Sequence, residues 1–135
     1  MRIVIDASVA VKWVIAEAGS EAADALLNQD LMAPVLWLAE AANSLWRRVR
    51  LGDITAEQAG VRLSGLLEAP VASLPIQPYL ERALRLATEI GHPIYDCLYL
   101  AVALHHDATV VTADRRFASA ASRPALEGRV RLLGE

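Results

Sequence analysis

The stretch Met1-Arg2-Ile3-Val4-Ile5-Asp6-Ala7-Ser8 decides how the rest of the chain is read. Ile3, Val4 and Ile5 are β-branched and do not alternate with polar residues. Such a run suits a strand covered on both faces, as in a parallel sheet between layers of helix. It stops at Asp6, and Ala7 and Ser8 lead into a helical pattern for which Ser8 is the expected N-cap. Asp6 therefore stands at the carboxyl end of a central strand, the edge at which open α/β sheets bind ligands. An acid there can equally be a helix cap, so this stretch alone leaves both roles open.

The 135 residues are expected to form one domain, 1–135. With 55% apolar and 21% charged residues the composition is that of a packed core, not of a disordered chain. Cys97 is the only cysteine, which excludes an internal disulfide and fits a reducing compartment. Too few apolar residues precede Asp6 for a secretory signal, and no apolar run approaches the roughly 20 residues of a membrane span. A cytoplasmic protein without a membrane partner is expected. The net charge of −3 does not advertise nucleic-acid binding. The basic residues are almost all arginine, however, with Lys12 the only lysine, and the arginine fork matches phosphate better.

Further along, the pattern predicts a helix over 9–16 and a second one capped by Ser20. A short strand at Leu31-Met32-Ala33 is stopped by Pro34. A long helix over 35–51 ends at Gly52. Thr55-Ala56-Glu57-Gln58 has the capping-box form and opens a helix to about Glu68, so the two helices make an antiparallel hairpin. Val71–Leu74 reads as a strand, Pro78 starts a helix ending at Gly91, and Pro93 starts another over 94–106. Thr109–Thr112 is a strongly β-branched strand, followed by a short helix from Asp114 and a last strand over 130–133. Strands alternating with helices imply right-handed crossovers and a three-layer α/β/α domain, with a central parallel sheet of four to five strands. Trp13, Trp37 and Trp46 lie on helices and are expected to serve packing.

Three further acids sit in places as awkward as that of Asp6. Glu40 interrupts the apolar run Leu36–Ala42 and shares a helix face with Asn43 and Arg47. Asp96 is the one acid of a helix that is apolar almost all round, the mark of a buried helix. It falls in the first turn, where the dipole favours a negative charge. Asp114 repeats the arrangement of Asp6: a β-branched strand, a small residue, then a carboxylate, with Thr112 offering a hydroxyl as Ser8 does. Each also has a plainer role, Glu40 on a solvated face and the two aspartates as N-terminal caps. If the four converge, their mutual repulsion calls for a proton or a cation among them. With a single cysteine and scattered histidines, zinc is not indicated, and oxygen ligands point to Mg²⁺ or Mn²⁺. Such sites activate water and brace phosphate oxygens. Arg47, Arg115 and Arg116 lie near the acids in sequence and could guide a nucleic-acid backbone. Lys12, one turn after Ser8, could approach Asp6.

Strand-Asp6-Ala7-Ser8, Glu40 in its Ala/Leu-rich helix, Tyr95-Asp96-Cys97-Leu98-Tyr99-Leu100-Ala101 and Thr112-Ala113-Asp114 together resemble the PIN domain. More narrowly, they resemble the VapC toxins of type II toxin–antitoxin pairs. The resemblance covers nearly the whole chain. It implies a metal-dependent endoribonuclease whose residues matching Asp6, Glu40, Asp96 and Asp114 form the acidic Mg²⁺ or Mn²⁺ pocket, with Asp6 and Asp96 as main ligands. Glu40 and Asp114 would bind directly or through water, and Ser8 and Thr112 would be supporting polar residues. It further implies RNA as substrate, a VapB-type antitoxin as partner and a homodimer. Alternatives kept beside it are an RNA-processing PIN nuclease without a toxin role and a non-catalytic metal- or nucleic-acid-binding module. An aspartyl phosphatase would want an acid where Ser8 stands, and a signalling receiver would want a late lysine.

Overall fold

A computed structural model of the chain describes residues 2–135. Among these residues one sheet of five parallel strands forms the centre: β1 (Arg2–Ile5), β2 (Asp30–Pro34), β3 (Val71–Leu74), β4 (Thr109–Thr112) and β5 (Val130–Leu132). Their spatial order is β3-β2-β1-β4-β5. In β1, Ile3, Val4 and Ile5 are each no more than 1% exposed. Successive side chains point to opposite faces, so a strand buried at every one of these positions is covered on both sides. That confirms the three-layer α/β/α arrangement read from the unalternating run.

The helices are α1 (Ala7–Ala10), α2 (Ser20–Asp24), α3 (Leu36–Arg50), α4 (Ala56–Leu67), α5 (Leu80–Ile90), α6 (Ile94–His106) and α7 (Arg115–Ala120). Helix α6 packs against β1, β2 and β4 and against α5. Seven consecutive residues, Cys97 to Ala103, are buried, so α6 is enclosed on all sides, as its uninterrupted apolar sequence predicts. Helices α3 and α4 form the expected hairpin. Its second arm begins with a complete capping box: Gln58 N donates to Thr55 Oγ1 (3.1 Å) and Thr55 N donates to Gln58 Oε1 (2.8 Å). Trp37 is buried, whereas Trp46 stands 53% exposed on α3.

Several local expectations are corrected. The first helix is only Ala7–Ala10, continued by a 3₁₀ turn over Val11–Trp13. The chain leaves it early because the Trp13 indole N–H donates to the Ala23 carbonyl (2.9 Å), tying the end of the turn to α2. Ser8 is not an N-cap. Asp6 occupies the extended position before the helix, and Ser8 lies inside its first turn with its hydroxyl turned back to Asp6. The cap position of α2 is Gly19 (φ 90°), not Ser20; the Ser20 hydroxyl accepts from Glu17 N (3.0 Å) and donates to Ile15 O (2.9 Å). Pro34 ends β2 from inside the strand, in register with Leu74. Pro78 lies in a 3₁₀ turn over Gln77–Tyr79, and the α-helix proper starts at Leu80.

Candidate active site

From β1 the chain winds outward through β2 to β3, then returns to the other side of β1 for β4 and β5. The neighbours β1 and β4 thus flank the point at which the winding reverses, where a crevice opens outside the carboxyl ends of the strands. Ile5 pairs with Val111, and Asp6 N donates to Val111 O (3.2 Å), so the two strands release their chains side by side. Asp6 follows one strand directly and Asp114 follows the other by two residues. The two strand-end acids that resemble each other in sequence are therefore neighbours in space.

Two hydroxyls stitch these strand ends together. Ser8 Oγ accepts from Ala113 N (3.0 Å) and Thr112 Oγ1 accepts from Asp114 N (3.0 Å). Each hydroxyl then spends its single hydrogen on the same oxygen, Asp6 Oδ2, Ser8 at 2.9 Å and Thr112 at 2.5 Å. With donors on both sides committed, the Asp6 carboxylate is held in one orientation. Asp6 occupies the N-cap position of α1 without a side-chain capping hydrogen bond, so what fixes its carboxylate is the pair of hydroxyls. Asp114 does cap: its Oδ1 accepts from Arg116 N (2.9 Å) and Phe117 N (3.4 Å) at the start of α7. Oδ2 makes no hydrogen bond within the described chain, so capping leaves half of the carboxylate free.

Glu40 and Asp96 come from two helices. Glu40, in the second turn of α3, accepts a hydrogen bond on Oε1 from the Tyr99 hydroxyl (2.5 Å). Asp96 lies in the first turn of α6, and its Oδ2 meets His92 Nε2 at 2.6 Å. His92 reaches it from the Gly91-His92-Pro93 turn, which Gly91 makes possible with φ 65°. The imidazole is stacked on Phe117, with centroids 5.4 Å apart. All four carboxylates line a single cavity of about 470 Å³, together with Ser8, Asn43, Ser44, Arg47 and Tyr95.

Burial sets the electrostatics. Asp6 is 5% exposed, and loss of water pushes its carboxyl up to about 6, against the hydroxyl bonds from Thr112 and Ser8 and with the help of nearby Asp96. Burial also raises Glu40, opposed by the Tyr99 bond and reinforced by Asp6 and Asp96. Asp96 is raised by burial too, opposed by His92 and reinforced by Asp114. Each of these three acids feels another of the set as a like charge. Among the described residues no lysine or arginine forms an ion pair with any of the four. The Tyr99 phenol is driven far up, first by burial and then by the charges of Asp6 and Glu40, so it keeps its proton and remains a donor.

The structure thus brings together every acid singled out in the sequence, with Ser8 and Thr112 beside Asp6. Arg47 lines the cavity, donating to Ser44 Oγ at 3.2 Å. Arg115 and Arg116 do not line it; both are exposed on α7. Lys12 turns away from Asp6 to Glu17 (3.1 Å) and the Ala18 carbonyl (2.8 Å). Tyr99 and His92 were missed as site residues. The signal lay in their spacing from Asp96, three and four positions away along or just before one helix, which brings side chains onto a common face.

The donor set suits a hard divalent cation: four carboxylates, three of them desolvated and each of those three repelled by another of the set, with no lysine or arginine to neutralise them. They ring the cavity. Among the described residues no three His, Cys, Asp or Glu side chains are gathered tightly enough to hold an ion together. Two carboxylates with water filling the remaining positions is the arrangement typical of Mg²⁺.

Comparison with known proteins bears on the family and the fold. Residues 3–122 match the sequence model of the family described as PIN domain. "Ribonuclease VapC3" of Pyrobaculum aerophilum is 32% identical over 123 residues, covering 87% of this chain and 93% of that protein. The crystal structure of VapC20 of Mycobacterium tuberculosis, described as a sarcin-ricin loop cleaving toxin, superposes with a TM-score of 0.68 at 19% identity. It covers 87% of this chain and 94% of that one. VapBC2 of Rickettsia felis, solved bound to a DNA fragment from its promoter, gives a TM-score of 0.65 at 17% identity over 98% of both chains.

Proposed function

This chain belongs to the PIN-domain family, and from that premise we propose that its four-carboxylate cavity hydrolyses RNA with the help of Mg²⁺ or Mn²⁺. Its activity is that of a VapC-type endoribonuclease toxin, in keeping with its ribonuclease relative. The observation that carries the mechanism is the meeting of Asp6, Glu40, Asp96 and Asp114, from four separate stretches of chain, around one polar cavity.

In this reading Asp6 and Asp96 are the main cation ligands, and Glu40 and Asp114 bind directly or through water. A bound divalent cation supplies an activated water and a counter-charge for phosphate oxygens. The chain's own residues do the rest. Ser8 and Thr112 hold Asp6 in one orientation. His92 holds Asp96. Glu40, with Oε1 engaged by Tyr99, offers Oε2 to orient the attacking water and take its proton. Burial raises its pKa, and a more basic carboxylate is a better proton acceptor. Arg47, at the rim, steadies the RNA backbone, with Arg115 and Arg116 as more distant phosphate contacts.

The same reading includes a VapB-type antitoxin as partner, supported by the likeness to VapBC2. It includes a homodimer, for which the exposed Leu80, Leu84 and Tyr95 offer apolar surface to cover. Residues 1–135 act as one domain. None of the described helices is long and apolar enough to cross a membrane. With Cys97 a free thiol and RNA as substrate, the cytoplasm is the proposed location.

The test is cleavage of structured RNA by the purified chain with Mg²⁺ or Mn²⁺. We expect loss with EDTA, and loss of at least about 100-fold in Asp6→Ala and Asp96→Asn while the fold survives. Undiminished cleavage in both variants overturns the reading. Light scattering and co-purification with the adjacent gene product test the dimer and the antitoxin.

A further inference from the structure

Tyr99 sits in the middle of α6, is 0% exposed, and is surrounded by apolar residues on either side in sequence. A phenol enclosed in a core must find a partner for its hydroxyl. It finds Glu40 Oε1 on another helix, 59 positions away, at 2.5 Å. The hydroxyl also lies close enough to Asp6 to feel its charge and faces the Ala7 backbone N–H. One buried oxygen thus ties α6, which also carries Asp96, to Glu40 on α3, within reach of the charge of Asp6 at the β1–α1 junction.

The bond is one-directional. Tyr99 stays protonated, so it donates, and Glu40 Oε1 accepts. Glu40 has no other hydrogen-bond partner within the described chain, and its side chain would otherwise turn about three torsions. A carboxylate with one oxygen pinned from below presents the other in a fixed direction. Partners standing behind metal-binding side chains orient them in this way in other proteins and commonly set the affinity of the site.

We propose that Tyr99 is a positioning residue: its buried hydroxyl pins Oε1 of Glu40 and thereby aims Oε2 into the cavity, where the divalent cation and the attacking water meet. This inference rests on the nuclease reading above and adds to it a residue that acts only through Glu40. Tyr99→Phe deletes one oxygen and leaves the ring that fills the core.

The experiment measures Mn²⁺ binding by the full-length chain, through the electron-spin resonance of free Mn²⁺, in wild type, Tyr99→Phe, Glu40→Gln and the double variant. Kinetics of RNA cleavage are recorded on the same samples. Tyr99→Phe is expected to weaken Mn²⁺ binding about tenfold. It should lower kcat at saturating Mn²⁺ with little change in KM for RNA. In the Glu40→Gln background the same substitution should change Mn²⁺ binding by no more than about twofold, because there is no carboxylate left to aim. A purely structural tyrosine would lower the melting temperature and leave the Mn²⁺ affinity of the folded protein within about twofold of wild type; that result overturns the proposal. So does a full tenfold loss on the Glu40→Gln background. If Tyr99→Phe fails to fold, replacement of Tyr99 by 4-aminophenylalanine and by 4-fluorophenylalanine, near-isosteres that keep and lose the donor, decides instead: weaker Mn²⁺ binding in the second alone supports the proposal, and equal Mn²⁺ binding in the two overturns it. A wild type that neither binds Mn²⁺ nor cleaves RNA overturns the nuclease reading itself, and the proposal with it.

Discussion

Asp6→Asn is expected to make the cation-free protein more stable at neutral and alkaline pH, and to abolish its chemistry. In the folded state the Asp6 carboxyl is pushed from its ordinary 3.8 up to about 6, chiefly by burial. The folded chain therefore holds this proton more tightly than the unfolded chain does. The stability so contributed is full below pH 3.8 and is lost as the pH rises through about 6. At 1.36 kcal/mol per pKa unit, the difference between those two values corresponds to about 3 kcal/mol. Asparagine has no such titration. It keeps a carbonyl oxygen in the place of Oδ2, so the hydroxyls of Ser8 and Thr112 retain their acceptor. Urea unfolding with EDTA, for wild type and Asp6→Asn, between about pH 4 and about pH 8 measures the effect. The variant should gain roughly 2 to 3 kcal/mol on wild type across that range. Added Mg²⁺ should stabilise wild type and leave the variant nearly unchanged. A stability gap that does not move with pH, or one that moves against the variant as pH rises, refutes the reasoning.

Other substitutions probe separate links. Thr112→Val, at a fully buried position, removes both the bond to Asp6 and the acceptor of Asp114 N, and should cost roughly 2 kcal/mol in thermal unfolding; a loss below about 0.5 kcal/mol would mean that this hydroxyl is not holding the strand ends together. Arg47→Ala should raise KM for RNA several-fold at unchanged kcat and flatten the salt dependence of binding by about 0.7 in the logarithmic slope, one phosphate contact. An unchanged slope would remove Arg47 from the RNA path. Thr55→Ala breaks the capping box of α4, far from the acids, and should cost about 1 kcal/mol while the rate of RNA cleavage stays at the wild-type value.

What could be read in the sequence was whatever a local rule determines. Ile3–Ile5 and Thr109–Thr112 announce buried parallel strands because residues facing both ways must be apolar, and each run is closed by a carboxylate at its functional end. Glu40 and Asp96 stand out because each is charged where every neighbour is greasy. The helices of the hairpin and α6 were found by their caps and breakers, and α6 was bounded correctly at Ile94 and His106. Arg115 and Arg116 adjoin Asp114 in sequence and stand exposed on α7 outside the cavity lining, which leaves their proposed role as distant phosphate contacts in place. The misses have one cause: direction. Lys12 is a turn from Ser8, yet it leans on Glu17. Ser8 looked like a cap because small hydroxyl residues usually are; what decided its role was Thr112, 104 positions away, and the carboxylate they share. Tyr99 looked like core and is core, and only the atom at its tip betrays a second task.

These cases give the site its physical logic. A single charged group in an apolar layer is intolerable, so each acid here is attended by hydrogen-bond donors: two hydroxyls at Asp6, a phenol at Glu40, an imidazole at Asp96 and two backbone N–H groups at Asp114. Those donors only partly offset burial, since Asp6, Glu40 and Asp96 all remain raised. Arginine or lysine partners would have neutralised the acids and stabilised the fold, but would also have occupied the oxygens. Hydroxyl and backbone donors orient a carboxylate without spending its charge; Asp96 alone has a partner, His92, whose charge also lowers its pKa. The chain therefore keeps a cluster of acids that is fixed in geometry while Asp6, Glu40 and Asp96 still repel their neighbours, and under the proposed function relief of that repulsion is what drives uptake of a cation.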